Sequence, residues 1–206
     1  MPTSSFIPAA VALLLLTACG GGGSSAPSSS GGNNGESTPP PPPPPAVIDT
    51  GAASIGVFTD SAVSGVAYLS QPSGLSGTTG NNGEFSYQPG DTVTFTLAGH
   101  ALPAVTARGR LSPAIMATEL AGSGSSAADI SNLTLNLAIL LQALDDNGNP
   151  EDGIQVRSNT DLSDLLAGNT ALSGDPVNFA ADLSAADNSL VVPNPVSAAN
   201  HYYRNE

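Results

Sequence analysis

Apolar and polar positions alternate with period two in several short stretches beyond Ser54. In residues 91–97, Val93, Phe95 and Leu97 fall on one side, and Thr92, Thr94 and Thr96 on the other. That pattern predicts a half-buried strand. Ile55 and Val57 share a side of an earlier candidate strand, Val66 and Tyr68 of a second, Phe85 and Tyr87 of a third. Turn-forming residues separate these runs. Thr79-Gly80-Asn81-Asn82-Gly83 tolerates positive φ. In Gln88-Pro89-Gly90-Asp91 the proline presets φ and the glycine permits reversal. The pattern predicts an antiparallel meander, with a further strand over 102–107.

Beyond a Gly/Ser loop at 122–126 the period changes. Leu133, Leu137, Leu140, Leu141 and Leu144 recur at i, i+4, i+7, i+8 and i+11, the apolar stripe of an amphipathic helix. Asp129 or Ser131 would cap its start, and Asn147-Gly148 would end it. A short helix is expected over 161–167, burying Leu162, Leu165 and Leu166, and a last one over 196–204. Pro176, Pro193 and Pro195 are expected to break the region between them. A lipid-surface helix would carry Lys or Arg on its polar face, and the leucine-rich one has none, so its leucines are read as core. The expected fold class is α+β. A small antiparallel β-sandwich-like unit spans 47–112. C-terminal amphipathic helices over 113–206 pack on it in the same globular domain, and a disordered tether precedes both.

The chain opens differently. Met1 is followed by ten residues without Lys or Arg, then by a leucine run that ends at Leu16. The run is too short to span a bilayer, which takes about 20 apolar residues. Leu16-Thr17-Ala18-Cys19 closes it and resembles the lipobox of bacterial lipoproteins: an aliphatic residue, a small one, Gly or Ala, then Cys. The resemblance implies a signal peptide over 1–18, a diacylglyceryl group on the Cys19 sulfur, cleavage before Cys19, and acylation of the new amine by a palmitate-class chain. Each buried CH₂ contributes about 0.8 kcal/mol, and more than one chain anchors stably. Gly20 after Cys19, in place of Asp, resembles the class sorted to the Gram-negative outer membrane. Residues 19–46 then read as a linker. Gly20-Gly21-Gly22-Gly23-Ser24-Ser25 begins a flexible coil, and the unbroken prolines at 39–45 favour a stiff polyproline rod.

Three stretches of the β region carry a second resemblance: Val63-Ser64-Gly65-Val66-Ala67-Tyr68, then Gly77-Thr78-Thr79-Gly80-Asn81-Asn82-Gly83-Glu84-Phe85-Ser86-Tyr87, then Gly90-Asp91-Thr92-Val93-Thr94-Phe95. They are similar to carboxypeptidase-regulatory-like, or transthyretin-like, β-sandwich modules. Those modules repeat a Val-x-Gly-x-Val strand, a Gly-rich turn and Gly-x-Phe-x-aromatic. The resemblance implies a β-sandwich with Phe85 in its core, and an accessory, binding or spacing role. It transfers no catalytic residue.

Composition narrows the function. The 206 residues carry 17 acids against 4 basic residues, a net charge of −13, and no lysine or tryptophan. Such a chain is repelled by phosphate backbones, which excludes nucleic acid as a partner. The single cysteine cannot form an internal disulfide, and lipidation gives it a use.

Candidate chemistry concentrates in Asp145-Asp146-Asn147-Gly148-Asn149-Pro150-Glu151-Asp152-Gly153. Acids at a helix C-terminus oppose the macrodipole, and a cation would relieve this. Alternating oxygen ligands at Asp145, Asn147 and Asn149, with Glu151 and Asp152 beside them, suit calcium. The EF-hand pattern fails, with Pro150 where Gly is needed and Val156 at the closing acid position. A solvated acidic turn is the plainer reading. His100 and His201 are too few for a recognisable zinc site. Gly-x-Ser-x-Gly is absent, and a P-loop is impossible without lysine. Arg108 and Arg110 are expected to pair with acids. The expected function is a non-catalytic binding or interaction module of the cell envelope. Its partners would be the lipid bilayer, through acylated Cys19, and an envelope protein or glycan. No cofactor is expected beyond calcium. The alternative is an envelope enzyme, or an accessory subunit of a transport complex, with its site near residues 145–152.

Overall fold

The computed structural model describes residues 52–206. The expected signal peptide, the lipidation site Cys19 and the linker lie outside the described residues.

The described chain is α+β. Its strands are β1 (Ser54–Phe58), β2 (Val63–Ser64), β3 (Ala67–Gln71), β4 (Ser76–Thr78), β5 (Glu84–Tyr87), β6 (Thr92–Leu97), β7 (His100–Ala101), β8 (Val105–Thr106), β9 (Arg110–Leu111) and, after two helices, β10 (Ile154–Gln155). The helices are α1 (Pro113–Leu120), α2 (Ala127–Ala143), α3 (Ser163–Leu166), α4 (Pro176–Ala186) and α5 (Pro195–Asn205). One sheet runs β5-β1-β9, with β1 antiparallel to β5 and parallel to β9. Another runs β4-β3-β6-β7 with antiparallel pairs, and β8 adds to β6. A short parallel pair, β2 with β10, ties the first strands to the chain beyond α2.

The expected meander holds where alternation is strongest. Val93, Phe95 and Leu97 of β6 are fully buried. Phe95 stacks on Phe58 of β1, with ring centroids 4.4 Å apart, and meets Phe85 of β5 edge-on at 5.3 Å. Aromatic pairs of this kind join the two larger sheets. Phe85 enters the core, and Asp91 N–H donates to Gln88 O at 3.0 Å across the Pro-Gly turn.

The face of β1 differs from expectation. Ile55 is 58% exposed, and the buried side carries Gly56 and Phe58. A side chain at 56 would collide with the Phe85 ring and the Arg108 carbonyl. The inward position is occupied by a neighbour's ring, so counting apolar residues on each side misleads.

The helical half begins earlier than its leucine pattern. The three longer helices outside α2 each open with a proline at the first turn, after Ser112, Asp175 and Asn194. The missing N–H of proline costs nothing there. Pro176 and Pro195 therefore start helices where breaks were expected. Asp175 accepts from the amides of Val177 and Asn178, and Asn194 from Ser197. The N-cap of α2 is Ser126, in a reciprocal capping box with Asp129. The helix ends at Ala143, before the expected Asn147-Gly148.

All five stripe leucines are buried, but α2 is more than amphipathic. Every residue over 136–145 is buried, and α1, α4 and α5 pack around it. A helix enclosed on all sides is a core helix. Its polar residues then need internal partners. Asn136 Nδ2 donates to the carbonyls of Leu172 and Gly174, each at 2.9 Å. Gln142 reaches the strand layer.

Candidate functional site

The loop after α2 is built around Asp145, which is 1% exposed. Its Oδ2 accepts from Asn149 N–H at 2.8 Å and its Oδ1 from Gln155 N–H at 3.0 Å. Arg157 donates to the Asp145 carbonyl at 2.7 Å. The carboxylate thus closes residues 145–155 into one turn and holds β10 beside β2.

The expected calcium set is brought into one loop but does not converge. The two oxygens of Asp145 are engaged by backbone amides. Asn147 Oδ1 accepts from Asn149 N–H at 2.7 Å. The Asn147 and Asn149 amides donate to Asp152. Glu151 turns away toward α5, where it meets His201 and Arg204. Among the described residues no group of three or more His, Cys, Asp or Glu is arranged to hold a metal ion. His100 belongs to another neighbourhood, with its Nε2 3.0 Å from Asn169 Oδ1.

Beside this loop lies a half-open cleft of about 400 Å³. Ser64, Asn81, Asn147, Asp152 and Gln155 supply its polar lining, and Asp152 is its only charge. β2, β10 and the 79–83 turn position these groups.

A second cluster sits under α5, at the 59–62 turn between β1 and β2. Asp60 is 2% exposed; its Oδ2 accepts from Gln142 Nε2 at 2.9 Å, while its Oδ1 has no partner. Burial pushes the Asp60 carboxyl up to about 6, against the lowering effects of the Gln142 hydrogen bond and the nearby His201. The next residue, Ser61, is half-buried and places its Oγ 3.1 Å from His201 Nε2. His201 Nδ1 lies 3.3 Å from Glu151 Oε1, and the ring is almost wholly buried. The Ser61 hydroxyl also reaches the Pro150 carbonyl at 2.9 Å.

Sequence reasoning missed this cluster. Ser61 and His201 are 140 residues apart, and no local motif marks either. The available signal was weak: His201 and Tyr202 follow Ala198 at i+3 and i+4, on the face that turns inward.

The four arginines are all engaged. Arg108 pairs with Glu119, Arg204 with Glu151, and Arg110 with Glu206 at 3.6 Å; Arg157 binds carbonyls of the 145–157 loop. The expected pairing of Arg108 and Arg110 with acids is observed, and it leaves no open cationic patch. No helix among the described residues is long and apolar enough to cross a membrane. Comparison with family models, with curated proteins and with solved structures finds no match.

Proposed function

We propose that the chain is a cell-envelope lipoprotein whose folded body is a binding or interaction module. The anchor reading rests on Leu16-Thr17-Ala18-Cys19 behind its leucine run, with the Gly- and Pro-rich stretch as spacer. The transthyretin-like resemblance of the β unit agrees with an accessory binding role.

The observation that carries the binding reading is the cleft between β2, β10 and the 79–83 turn. Amides, a hydroxyl and one carboxylate line it. That inventory offers both donors and acceptors with almost no charge. It suits a neutral polyhydroxylated ligand, an envelope glycan, and disfavours anions. Asp145 pins the loop that carries Asn147, Asp152 and Gln155, so the polar groups are held before a ligand arrives.

Two experiments test the parts separately. Cys19→Ser is expected to abolish recovery in the membrane fraction, and mass spectrometry of the wild type is expected to find a lipid-modified first residue at Cys19. An unmodified first residue on the mature protein refutes the anchor. A neutral-glycan array probed with the soluble body tests the cleft: an Asn147→Ala, Gln155→Ala variant loses the signal, and equal binding by the variant refutes the site.

The second reading, an envelope enzyme beside the acidic loop, is favoured by one observation. Glu151 of that loop, His201 and Ser61 stand in line.

A further inference from the structure

We propose that Ser61, His201 and Glu151 form an acyl-transfer centre, with Ser61 as nucleophile, His201 as general base and Glu151 as the positioning residue for the ring. The inference stands independently of the anchor and of the cleft's ligand.

The argument starts from proton placement. Glu151 Oε1 only accepts when ionised, so the facing His201 Nδ1 carries the hydrogen. The neutral ring then has its lone pair on Nε2, which faces Ser61 Oγ at 3.1 Å. This is the logic by which an acid selects the tautomer that can take a proton from a serine. Both separations fall within or just beyond the range expected of such groups before substrate binds.

Two other contacts bear on it. The Ser61 hydroxyl has one proton and two acceptors in reach, Nε2 and the Pro150 carbonyl at 2.9 Å. Rotation about one bond moves that proton between them. Asn205 Nδ2, with two hydrogens, donates to the His201 carbonyl at 2.9 Å and lies 3.3 Å from Nε2, so it shares the Nε2 lone pair with the nearer Ser61 hydroxyl at 3.1 Å. Arg204 donates to the same Glu151 oxygen, Oε1, that faces the ring, and helps fix the carboxylate that fixes the ring. Among the described residues, none accepts a hydrogen bond from the Ser61 amide. It is free to serve a developing oxyanion, as a nucleophile's own amide does elsewhere.

The substrate class is an uncharged ester. Ser61 Oγ attacks the acyl carbon, and its proton passes to His201 Nε2. The tetrahedral adduct collapses, the bond to the leaving alcohol breaks, and Nε2 returns the proton to that oxygen. Water then attacks the acyl-serine, giving its proton to Nε2. Collapse of the second adduct releases the carboxylic acid and restores Ser61 with the proton from Nε2. Ala62 and Asp152, the neighbours of Ser61 and Glu151, line the cleft, which brings that cleft close to the reacting atoms.

The test is covalent labelling of the full chain with a fluorophosphonate, read by peptide mass spectrometry, with p-nitrophenyl acetate hydrolysis as a second readout. The expected result is a single adduct on the peptide containing Ser61, absent in Ser61→Ala. In His201→Gln the labelling rate falls by about 100-fold or more. In Glu151→Gln the acid limb of the labelling pH profile moves, while a control at Ser184, exposed on α4 and away from the cleft, Ser184→Ala, keeps the wild-type profile. Circular dichroism confirms that each variant is folded; should His201→Gln not fold, Ser61→Ala and Glu151→Gln carry the decision. No adduct at Ser61 in folded wild type overturns the proposal. So does equal labelling of folded His201→Gln, or an unmoved profile in Glu151→Gln.

Discussion

Asp60 Oδ2 accepts a hydrogen bond from Gln142 Nε2 at 2.9 Å, which joins the turn after β1 to the last turn of the core helix α2. Gln142 also donates to the Ala198 carbonyl of α5 at 3.3 Å. One amide therefore ties three elements together, and the carboxylate beside it is buried with an oxygen unpaired.

That burial makes stability depend on pH. The Asp60 carboxyl rises from 3.8 to about 6 on folding, chiefly through desolvation. The folded state therefore holds the proton more tightly than the unfolded chain. Between these two values folding takes up a proton, so this group's contribution improves as pH falls through 6 and levels off below 3.8. From pH 7.5 to pH 5 the gain from Asp60 alone is about 1 kcal/mol. Asp60→Asn keeps an oxygen for Gln142 and removes the charge. It is expected to raise stability at pH 7.5 by about 1 kcal/mol and to flatten the dependence. Urea denaturation of both proteins at pH 5 and pH 7.5 checks this; equal pH slopes would show that Asp60 does not take up the proton.

Asn136 is the second polar group inside α2. Its Nδ2 satisfies the carbonyls of Leu172 and Gly174, in the segment leading to α4. Asn136→Ala leaves both without a donor, and each buried orphan costs about 1–3 kcal/mol. A loss of about 2–4 kcal/mol in chemical denaturation is expected. Asn136→Asp is expected to lose more, because a carboxylate brings no N–H and would face two carbonyl oxygens.

How legible each part was follows from how local its cause is. β6 could be read because Val93, Phe95 and Leu97 sit against threonines, and the stripe of α2 because its leucines repeat in one helix. The face of β1 could not, because what excludes a side chain at Gly56 is the ring of Phe85 from another strand. The prolines at 176 and 195 were misread as breaks, although Asp175 and Asn194 before them are strong caps; the pair, read together, is a start signal. The acidic run at 145–152 was legible as a cluster but not as geometry. Asp145 turns inward to backbone amides, and Glu151 turns to α5. Ser61, His201 and Glu151 meet only through tertiary packing, so no spacing along the chain could announce them.

The inward turn of Asp145 has its own consequence. Asp145→Ala removes the acceptor of the Gln155 amide, leaves the Asn149 amide with Asn147 Oδ1 alone, and loosens the 146–153 loop. A loss of about 1–3 kcal/mol is expected, the cost of a Gln155 amide that does not regain a partner from water. Hydrogen exchange locates the effect, with the Asn149 and Gln155 amides accelerated first and those of α2 unchanged until global unfolding. Uniform acceleration of all amides would mean that Asp145 supports the core and not the loop.

Gly83 tests the turn that brings Phe85 into the core. Its φ is +79°, and Phe58 N–H donates to its carbonyl at 2.9 Å. A Cβ at this position would be driven into the Phe58 carbonyl, which is backbone of β1 and not the end of a flexible side chain. Gly74 has nearly the same φ, +76°, but open space where its Cβ would stand. The backbone term, about 1–2 kcal/mol for a left-handed residue with a side chain, is therefore common to both. Gly74→Ala is expected to lose only that amount. Gly83→Ala is expected to lose about 3 kcal/mol or more, because β1 and the turn must separate and the Phe58–Phe95 stack loosens with them. Paired thermal and urea melts measure the difference. Equal losses in the two variants would show that the chain relieves the collision freely, and that the contact between Gly83 and β1 does not set the position of Phe85.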